Sequence, residues 1–387
     1  MSELSVLERK GLLRSLYVTI FLISTAYGAI TFLLPVYAES LGATYIQLGL
    51  LGSIGSVVYT VMTLLTGLML DRFEKIRFFL VFTAFGVLVP VLFSLTSRVP
   101  ELFPLRGLLG VASAAFWVTA STLTADLSPP EELTKSVVRY NVSWISGFVA
   151  GPIIGGIVSD RYGFPALFVL IATLILPSVL LIATRLSGRV TFKAVGGGLW
   201  KGLNSLRPIA LAYITLIPYA IILGVYMAIL PGHMGVLGIS ASAIGLLLTM
   251  TNAVRGLGFL SGERWMRWGT RRSLWVSAIL MSGALFMVSK SNSIVEFALP
   301  LALYGFAGGI ITPVILDYIA HESPSEARGA SMGLHECVYG VGMSLGPIVG
   351  GFIAEAYNPS ILYMTLAGLA LLILPLSLGL KKRTHGP

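Results

Sequence analysis

The stretch Gly151-Pro152-Ile153-Ile154-Gly155-Gly156 recurs as Gly346-Pro347-Ile348-Val349-Gly350-Gly351, 195 residues further along a chain of 387 residues. An offset of 196 residues relates Leu41-Gly42 to Leu237-Gly238. The register between the two halves is therefore kept with a shift of a single residue. Self-similarity at a period of half the chain predicts two copies of one structural plan.

The composition indicates a protein that lies in a lipid bilayer. Apolar residues make up 56% of the chain and charged residues 11%, whereas an average soluble domain has roughly 25% charged residues. The single cysteine, Cys337, excludes an internal disulfide and a cysteine metal cluster. The sequence also contains no His-x-x-x-His motif and no nucleotide-binding loop. We therefore expect no metal, no cofactor and no catalytic residue.

Twelve apolar runs are each long enough to cross a hydrocarbon core of about 30 Å, which takes roughly 20 helical residues. They lie near residues 14–38, 46–70, 76–97, 102–125, 133–158, 162–184, 208–231, 241–262, 272–289, 296–320, 328–354 and 360–380. Helices are required because lipid provides no hydrogen-bond partners for the backbone. The predicted fold class is an all-α membrane protein with an N-terminal six-helix bundle over 1–184, a cytoplasmic interdomain loop over 185–207 and a C-terminal six-helix bundle over 208–387. The first run is expected to be a retained span, because it is too long for a signal peptide and lacks a small-residue cleavage site.

The basic residues predict the orientation of the chain. If both termini lie in the cytoplasm, the cytoplasmic segments contain all but five of the 26 Lys and Arg residues, in agreement with the positive-inside rule. The five exceptions are Arg98, Arg106, Arg161, Arg255 and Lys290. The same topology explains the formal net charge of +9, which gives no reason to expect nucleic acid as a partner. We expect a monomeric, multi-pass protein of the cytoplasmic membrane, with the lipid bilayer as its surroundings.

A charged loop follows the second span of each repeat. The first copy contains Gly67, Asp71, Arg72, Glu74, Lys75 and Arg77, and the second contains Gly262, Met266, Arg267, Gly269, Arg271 and Arg272. These residues resemble the Gly-x-x-x-Asp-Arg-x-Gly-Arg-Lys loop of the major facilitator superfamily of transporters. Glu74 stands where the family has glycine, and Met266 stands where it has the acid.

Two further motifs extend the resemblance to a twelve-helix transporter of this superfamily over essentially the whole chain. Arg106 and Gly110 resemble the Arg-x-x-Gln-Gly motif of the fourth span, with Leu109 in place of the glutamine. The run Gly147-x-x-x-Gly151-Pro152-x-x-Gly155-Gly156 resembles the motif of the drug/proton antiporter branch. Because the stretch from Gly346 repeats it, this motif does not by itself indicate the direction of transport.

The resemblance implies alternating access, and eight residues are candidates for its conformational gate. These are Gly67, Asp71, Arg72, Asp126, Gly151, Pro152, Gly346 and Pro347. The Gly-Pro pairs would let helices pack closely and bend, although close packing alone would also explain them. The acids would interact with helix ends and basic residues at the cytoplasmic face, with Asp126 as the partner of Arg72, although a solvated loop would also explain them.

Four charged residues lie inside apolar spans, where each costs at least about 2.5 to 3.5 kcal/mol on insertion scales. They are Arg106, Arg255, Asp317 and Glu336. Arg255 and Glu336 each lie about nine residues from the cytoplasmic end of a span, so they are expected at similar depth. The sequence therefore predicts a buried ion pair between them, with a functional or a purely structural role. Snorkelling of Arg106 to the outer surface is the alternative to a place in the cavity.

Glu336 is the first candidate for a proton-coupling site, because a carboxylate inside a span is a default functional site. Asp317 is the second, with a solvated helix cap as the alternative. His335 points about 100 degrees round the helix from Glu336, so both cannot face the cavity equally. A hydrogen-bonded core histidine is the alternative for His335. Asn141 occupies the position of Glu336 in the first repeat.

The resemblance also implies that the first, fourth, seventh and tenth spans line a central cavity. The candidates there are Tyr27, Trp117, Tyr219 and Tyr226, with Tyr17, Tyr213, Tyr304, Thr25, Thr119 and Thr215 beside them. Aromatic rings with hydroxyl groups suit amphipathic organic molecules or sugars, although packing and interface anchoring are the alternatives. The first span carries no mid-membrane acid, which argues against a cationic substrate held there.

The sequence thus predicts a secondary active transporter that moves a small-molecule substrate and protons. Proton-coupled efflux, as in multidrug antiporters, is the leading hypothesis. An importer or symporter of sugars or organic acids with the same fold is the alternative. A membrane-embedded sensor or enzyme is a remote alternative, because the chain shows no catalytic motif and no soluble domain of any size.

Overall fold

The computed structural model describes residues 6–186, 209–323 and 328–380. These residues form helices and turns, and no β-strand occurs among them. The α-helices are α1 (Val6–Ser40), α2 (Tyr45–Leu70), α3 (Lys75–Phe93), α4 (Val99–Leu127), α5 (Leu133–Tyr162), α6 (Phe164–Leu181), α7 (Ala210–Ala228), α8 (Leu230–Val236), α9 (Ala241–Leu260), α10 (Gly262–Trp268), α11 (Thr270–Val288), α12 (Ile294–Glu322), α13 (Arg328–Ala356), α14 (Pro359–Leu371) and α15 (Ile373–Leu378). A 3-10 turn over Pro130–Glu132 precedes α5, and a π-helical turn over Ile182–Leu186 extends α6.

Twelve of the helical segments in the described part of the chain are long and apolar enough to cross a membrane, which confirms the predicted spans. Helices α7 and α8 together make the seventh span, α9 the eighth, α11 the ninth, α12 the tenth, α13 the eleventh, and α14 with α15 the twelfth. The seventh span extends to Val236, beyond its expected end at residue 231. α7 ends at Ala228, and Pro231 stands in the first turn of α8, where its missing N–H leaves no helical hydrogen bond unmade. All but the first two residues of the predicted loop over 185–207 lie outside the described residues.

The described residues form two compact units. The first contains residues 6–37, 57–186 and 240–246, and the second contains residues 38–56, 209–239, 247–323 and 328–380. In the second unit, a Cβ added to Gly49 of α2 would overlap the carbonyl oxygen of Pro347 in α13. In the first unit, a Cβ added to Gly245 of α9 would overlap the carbonyl oxygen of Pro152 in α5. These equivalent contacts attach the start of α2 and the start of α9 to units made mainly from the other half of the sequence. The functional division into two sequence halves stays a prediction.

Two glycines at repeat-related turns explain the recurring Leu-Gly pair. Gly42 lies between α1 and α2 with φ of 85°, and Gly238 lies between α8 and α9 with φ of 75°. Each N–H donates to a carbonyl three residues earlier, at 2.7 Å from Gly42 to Glu39 and 2.8 Å from Gly238 to Gly235. Glycine is required because a side chain at this positive φ would strain the backbone.

The Gly-Pro stretches pack the fifth and eleventh spans against the first and seventh. A Cβ at Gly151 would overlap the carbonyl oxygen of Thr25 in α1, and a Cβ at Gly346 would overlap that of Ile221 in α7. Such backbone-to-backbone contact is typical of small residues in membrane helices. The close packing predicted for these stretches is therefore present in each unit, while their part in a conformational gate stays a prediction.

Candidate functional site

Four tyrosines surround one arginine inside the second unit. We call Tyr219 and Tyr226 of α7, Arg255 of α9, Tyr304 of α12 and Tyr339 of α13 the tyrosine-arginine cluster. Arg255 Nη2 donates to the hydroxyl oxygen of Tyr219 at 2.6 Å, and its guanidinium carbon lies 5.9 Å from the centre of the same ring. The other three tyrosines are close enough to interact electrostatically with the guanidinium. The cluster thus offers one positive charge among aromatic rings and hydroxyls.

The rings of the cluster also contact one another. Tyr219 and Tyr339 meet edge to face, with centroids 5.9 Å apart. Tyr226 and Tyr304 lie side by side with centroids 4.7 Å apart. Tyr339 is within 3.3 Å of the Thr312 hydroxyl. Since all four tyrosines are held by helices of one unit, their positions do not depend on a loop.

Small residues of α12 make room for the cluster. A Cβ at Gly308 would lie 2.8 Å from the Tyr219 hydroxyl, so any larger residue there would displace that oxygen from Arg255. Cβ atoms at Gly305 and Gly309 would overlap carbonyl oxygens of α9, at Thr251 and Arg255 respectively. These glycines bring α12 against α9. The sequence did not identify these glycines as site residues, although their spacing of three and four residues marks one helix face.

The predicted ion pair between Arg255 and Glu336 is wrong. Glu336 Oε1 lies 3.2 Å from His335 Nδ1, and no ion pair joins Glu336 to Arg255 within the described residues. The His335 side chain is 4% exposed, whereas that of Glu336 is 62% exposed. Distance from a span end predicts depth in the membrane but not direction round the helix. The step of about 100 degrees between neighbours buries His335 and leaves Glu336 exposed.

Tyr339 was missed by the sequence analysis. It lies one turn after His335 on α13, and the two rings are 4.8 Å apart. Its position four residues from His335 is the signal that could have identified it. His335 Nε2 is buried without a hydrogen-bond partner among the described residues.

The corresponding candidates in the first unit form an aromatic contact rather than a polar cluster. Tyr27 lies 6.2 Å from Phe116 and 6.4 Å from Trp117, between ring centroids. Asn141 Oδ1 accepts a hydrogen bond from Trp144 Nε1 at 3.0 Å. Arg106 is half-buried, and the described residues provide it with no hydrogen bond or ion pair. These candidates of the first unit therefore make aromatic and amide contacts, whereas those of the second unit bring an arginine against a tyrosine hydroxyl.

The charged loop after α2 is organised differently from the prediction. Asp126 pairs with Lys75 at 2.7 Å, not with Arg72. Glu74, which departs from the family pattern, caps α3 by accepting hydrogen bonds from the Ile76 and Arg77 amides at 3.0 and 2.6 Å. Arg72 is exposed in the turn after α2, whereas Lys75 begins α3 and its ammonium group reaches Asp126. Neither Asp71 nor Arg72 makes an ion pair within the described residues, and a Cβ at Gly67 would meet open space.

Asp317 lies in the last turns of α12 beside a histidine. Its Oδ1 is 3.0 Å from His321 Nδ1, one turn further along the helix. The sequence left open whether Asp317 is a proton site or a helix cap. A pair of residues four apart at a helix end favours the second interpretation.

The comparisons with known proteins agree over the whole chain. The family model described as Major Facilitator Superfamily matches residues 16–224 and 212–387. An uncharacterised MFS-type transporter of Methanocaldococcus jannaschii is 22% identical over 357 residues, covering 90% of this chain and 92% of its own. The multidrug resistance protein MdtG of Salmonella arizonae is 24% identical over 369 residues, covering 91% of this chain and 90% of its own.

A solved structure shows the same fold. The crystal structure of a mutant of the nucleoside transporter NupG matches with a TM-score of 0.80 at 14% identity, covering 96% of this chain and all of that one. Twelve apolar helices, a repeated Gly-Pro motif and a family model that spans the chain lead to one conclusion. The protein is a multi-pass membrane transporter that belongs to the Major Facilitator Superfamily.

Proposed function

We propose that this protein exports small organic molecules from the cell in exchange for protons, by alternating access in the cytoplasmic membrane. The relatives named as multidrug resistance proteins support export. The absence of a nucleotide-binding loop from the sequence supports an ion gradient as the energy source. Both termini lie in the cytoplasm in this proposal, as the distribution of basic residues predicts.

One observation carries the proposal: a titratable pair in a membrane span is connected by side-chain contacts to the tyrosine-arginine cluster. His335 contacts Glu336 at 3.2 Å, and the His335 ring lies 4.8 Å from that of Tyr339. Tyr339 packs on Tyr219, which accepts the hydrogen bond of Arg255. A proton site and a binding site thus share the central residue Tyr339.

The contacts through Tyr339 couple the proton site to the substrate site. Tyr339 is close enough to both Glu336 and Arg255 to interact electrostatically with each. Protonation of the His335-Glu336 pair changes the charge on one side of Tyr339, while the substrate interacts with the cluster on the other side. A proton and a substrate that favour different states of one element exclude each other, as exchange requires.

The Gly-Pro stretches supply the moving parts in this proposal. Proline in α5 and α13 removes a backbone hydrogen bond, and the neighbouring glycines let these helices slide on α1 and α7 without side-chain obstruction. Movement of α13 would carry His335 and Tyr339 with it. Opening of the cavity and release of the substrate are thereby linked through one helix.

Everted membrane vesicles test export and proton coupling together. The interior of such vesicles corresponds to the outside of the cell, so an exchanger accumulates its substrate when the interior is acidic. We expect vesicles with the protein to accumulate compounds from a panel of fluorescent organic anions, neutral compounds and cations in this condition, and vesicles without it not to. Loss of compound from acidic vesicles would indicate symport and contradict export.

Variants of two carboxylates make the test specific for the proposed proton site. Glu336→Gln keeps the size of the side chain and removes its titration, so gradient-driven accumulation should fall to the level of vesicles without the protein. Glu131→Gln is the matched control, because Glu131 is exposed in the turn before α5. Gradient-driven accumulation by Glu336→Gln at the parent rate would refute the role of Glu336.

A further inference from the structure

We propose that the tyrosine-arginine cluster binds the carboxylate of a monoanionic organic substrate with an aromatic body. This inference rests on the proposed function, because it names the substrate class that the transporter would carry. It differs from the expectation of an internal ion pair, since the missing negative charge is assigned to the substrate and not to Glu336.

Arg255 supplies a positive charge and several hydrogen-bond donors. A guanidinium has five N–H donors and no acceptor, and the described residues supply one acceptor, the Tyr219 hydroxyl oxygen. No carboxylate of the described chain forms an ion pair with Arg255. A charge inside a membrane span normally faces a partner or a polar pathway. Arg255 therefore has unused donors and a charge that a bound anion can neutralise.

Tyr304 supplies a hydroxyl donor beside that charge. Tyr304 is 3% exposed, and its hydroxyl oxygen has no hydrogen-bond partner among the described residues. Tyr304 also lies close enough to Arg255 for an electrostatic interaction. A buried hydroxyl without a partner costs free energy, and a bound acceptor beside Arg255 would satisfy it. Arg255 and Tyr304 can donate to one anion together.

The geometry and the charge of Arg255 select the type of anion. A carboxylate accepts two parallel hydrogen bonds from a guanidinium in a planar fork. Arg255 is the only cationic side chain of the cluster, so a single negative charge is balanced, whereas a phosphate dianion would keep an uncompensated charge in an apolar span. These two requirements select a monoanionic carboxylate.

The tyrosine rings of the cluster select the rest of the substrate. The Tyr226 and Tyr304 rings lie side by side at 4.7 Å, and Tyr339 meets Tyr219 edge to face. An aromatic ring system held beside Arg255 would meet these tyrosine rings, and aromatic side chains favour flat, apolar ligands through stacking and edge contacts. The cluster accordingly matches a carboxylate attached to an aromatic ring system.

Equilibrium binding to the purified full-length protein tests the inference without any proton gradient. The probes are 2-naphthoate, its neutral amide 2-naphthamide, the cation 2-naphthylmethylammonium and acetate, measured by calorimetry at neutral pH and constant ionic strength. We expect 2-naphthoate to bind at least about tenfold more tightly than each of the others. The free energy of a charged hydrogen bond in a desolvated site corresponds to about that ratio of dissociation constants. Equal binding of the amide would overturn the anion site, and equal binding of acetate would overturn the aromatic part.

Substitutions locate the site. Arg255→Gln should lower the affinity for 2-naphthoate to that for the amide, and Arg255→Lys should recover part of the difference because it restores the charge without the planar fork. Tyr304→Phe should weaken 2-naphthoate binding about threefold or more and weaken amide binding by less, because a hydrogen bond to a charged acceptor is the stronger one. Arg264→Gln is the control, because Arg264 is exposed in α10. A preference for 2-naphthoate that survives in Arg255→Gln would place the anion elsewhere and overturn the inference.

The test still decides if the Arg255→Gln variant fails to fold, and it separates the anion site from the proposed export. If Arg255→Gln does not fold, the probe panel on the parent protein and the Tyr304→Phe comparison still decide between anion and neutral ligand. If vesicles show no proton-driven export while the purified protein prefers 2-naphthoate through Arg255, the proposed export fails and the anion site stands. The reverse result, export without anion preference, refutes the site alone.

Discussion

The Asp160 carboxylate at the end of α5 accepts hydrogen bonds from the amides of Ala241 and Ser242, at 3.0 and 2.9 Å, where α9 begins. The other repeat contains the same arrangement. Glu355, 195 residues after Asp160, accepts a hydrogen bond from the Tyr45 amide at 2.8 Å, where α2 begins. The first amides of a helix have no partner within the helix and carry partial positive charge, so a carboxylate satisfies both needs.

Removal of the Asp160 carboxylate should lower the stability of the protein. Asp160→Ala leaves the amides of Ala241 and Ser242 without their acceptors, and loss of such a cap costs about 1 kcal/mol. We expect a decrease of a few degrees in the melting temperature of the detergent-purified protein. Glu131→Ala, at an exposed acid, is the control. Melting of Asp160→Ala at the parent temperature would show that the cap contributes nothing.

A side chain at Gly151 should disrupt the contact between α5 and α1. Gly151→Val places branched carbon atoms where the Thr25 carbonyl oxygen and the Ala29 amide lie, so the helices have to separate. We expect a large loss of monodisperse protein in size-exclusion chromatography. Gly283→Ala in α11 is the control, because its Cβ meets no atom within 4 Å and should stabilise the helix by roughly 0.5 to 1 kcal/mol. Normal yield of Gly151→Val would contradict the close approach.

Loss of the Tyr219 hydroxyl should destabilise the protein, because Arg255 donates a hydrogen bond to it. Tyr219→Phe removes the acceptor of Arg255, which costs about 1 to 3 kcal/mol for a desolvated charged donor. The melting temperature should fall, and 2-naphthoate should raise it by more than in the parent protein, because the ligand replaces the lost acceptor. Tyr363→Phe is the control, since the buried Tyr363 hydroxyl has no partner in the described chain. Equal effects of the two substitutions would contradict a specific Tyr219-Arg255 bond.

The Lys75-Asp126 ion pair should show coupling in a double-mutant cycle. Both side chains are largely shielded, at 12% and 27% exposure, so each single substitution to alanine leaves a partly buried charge. We expect the double substitution to cost less stability than the sum of the two, with a coupling free energy of about 0.5 to 3 kcal/mol. The same cycle with Arg72 in place of Lys75 should show none, because Arg72 does not pair with Asp126 in the structure.

The sequence selected several residues of the tyrosine-arginine cluster, but it paired the charged residues wrongly. Arg255, Tyr219 and Tyr226 were selected by their type and by the spans that contain them, which are one-dimensional properties. The pairs Arg255 with Glu336 and Arg72 with Asp126 were wrong, because pairing depends on the direction of each side chain round its helix. Tyr339 was overlooked for the same reason, because its contacts with His335 and Tyr219 arise only when the helices pack together.

The sequence by itself determined the membrane location, the twelve spans and the duplication, because hydrophobic length and repeated motifs are local and additive along the chain. It also marked Gly151 and Gly346 as positions of close helix contact. Only the tertiary structure decided that Arg255 meets tyrosines rather than Glu336, and that Asp160 and Glu355 cap helices of the opposite sequence half. These contacts join residues far apart in the chain, and their geometry is set by helix packing rather than by any local preference.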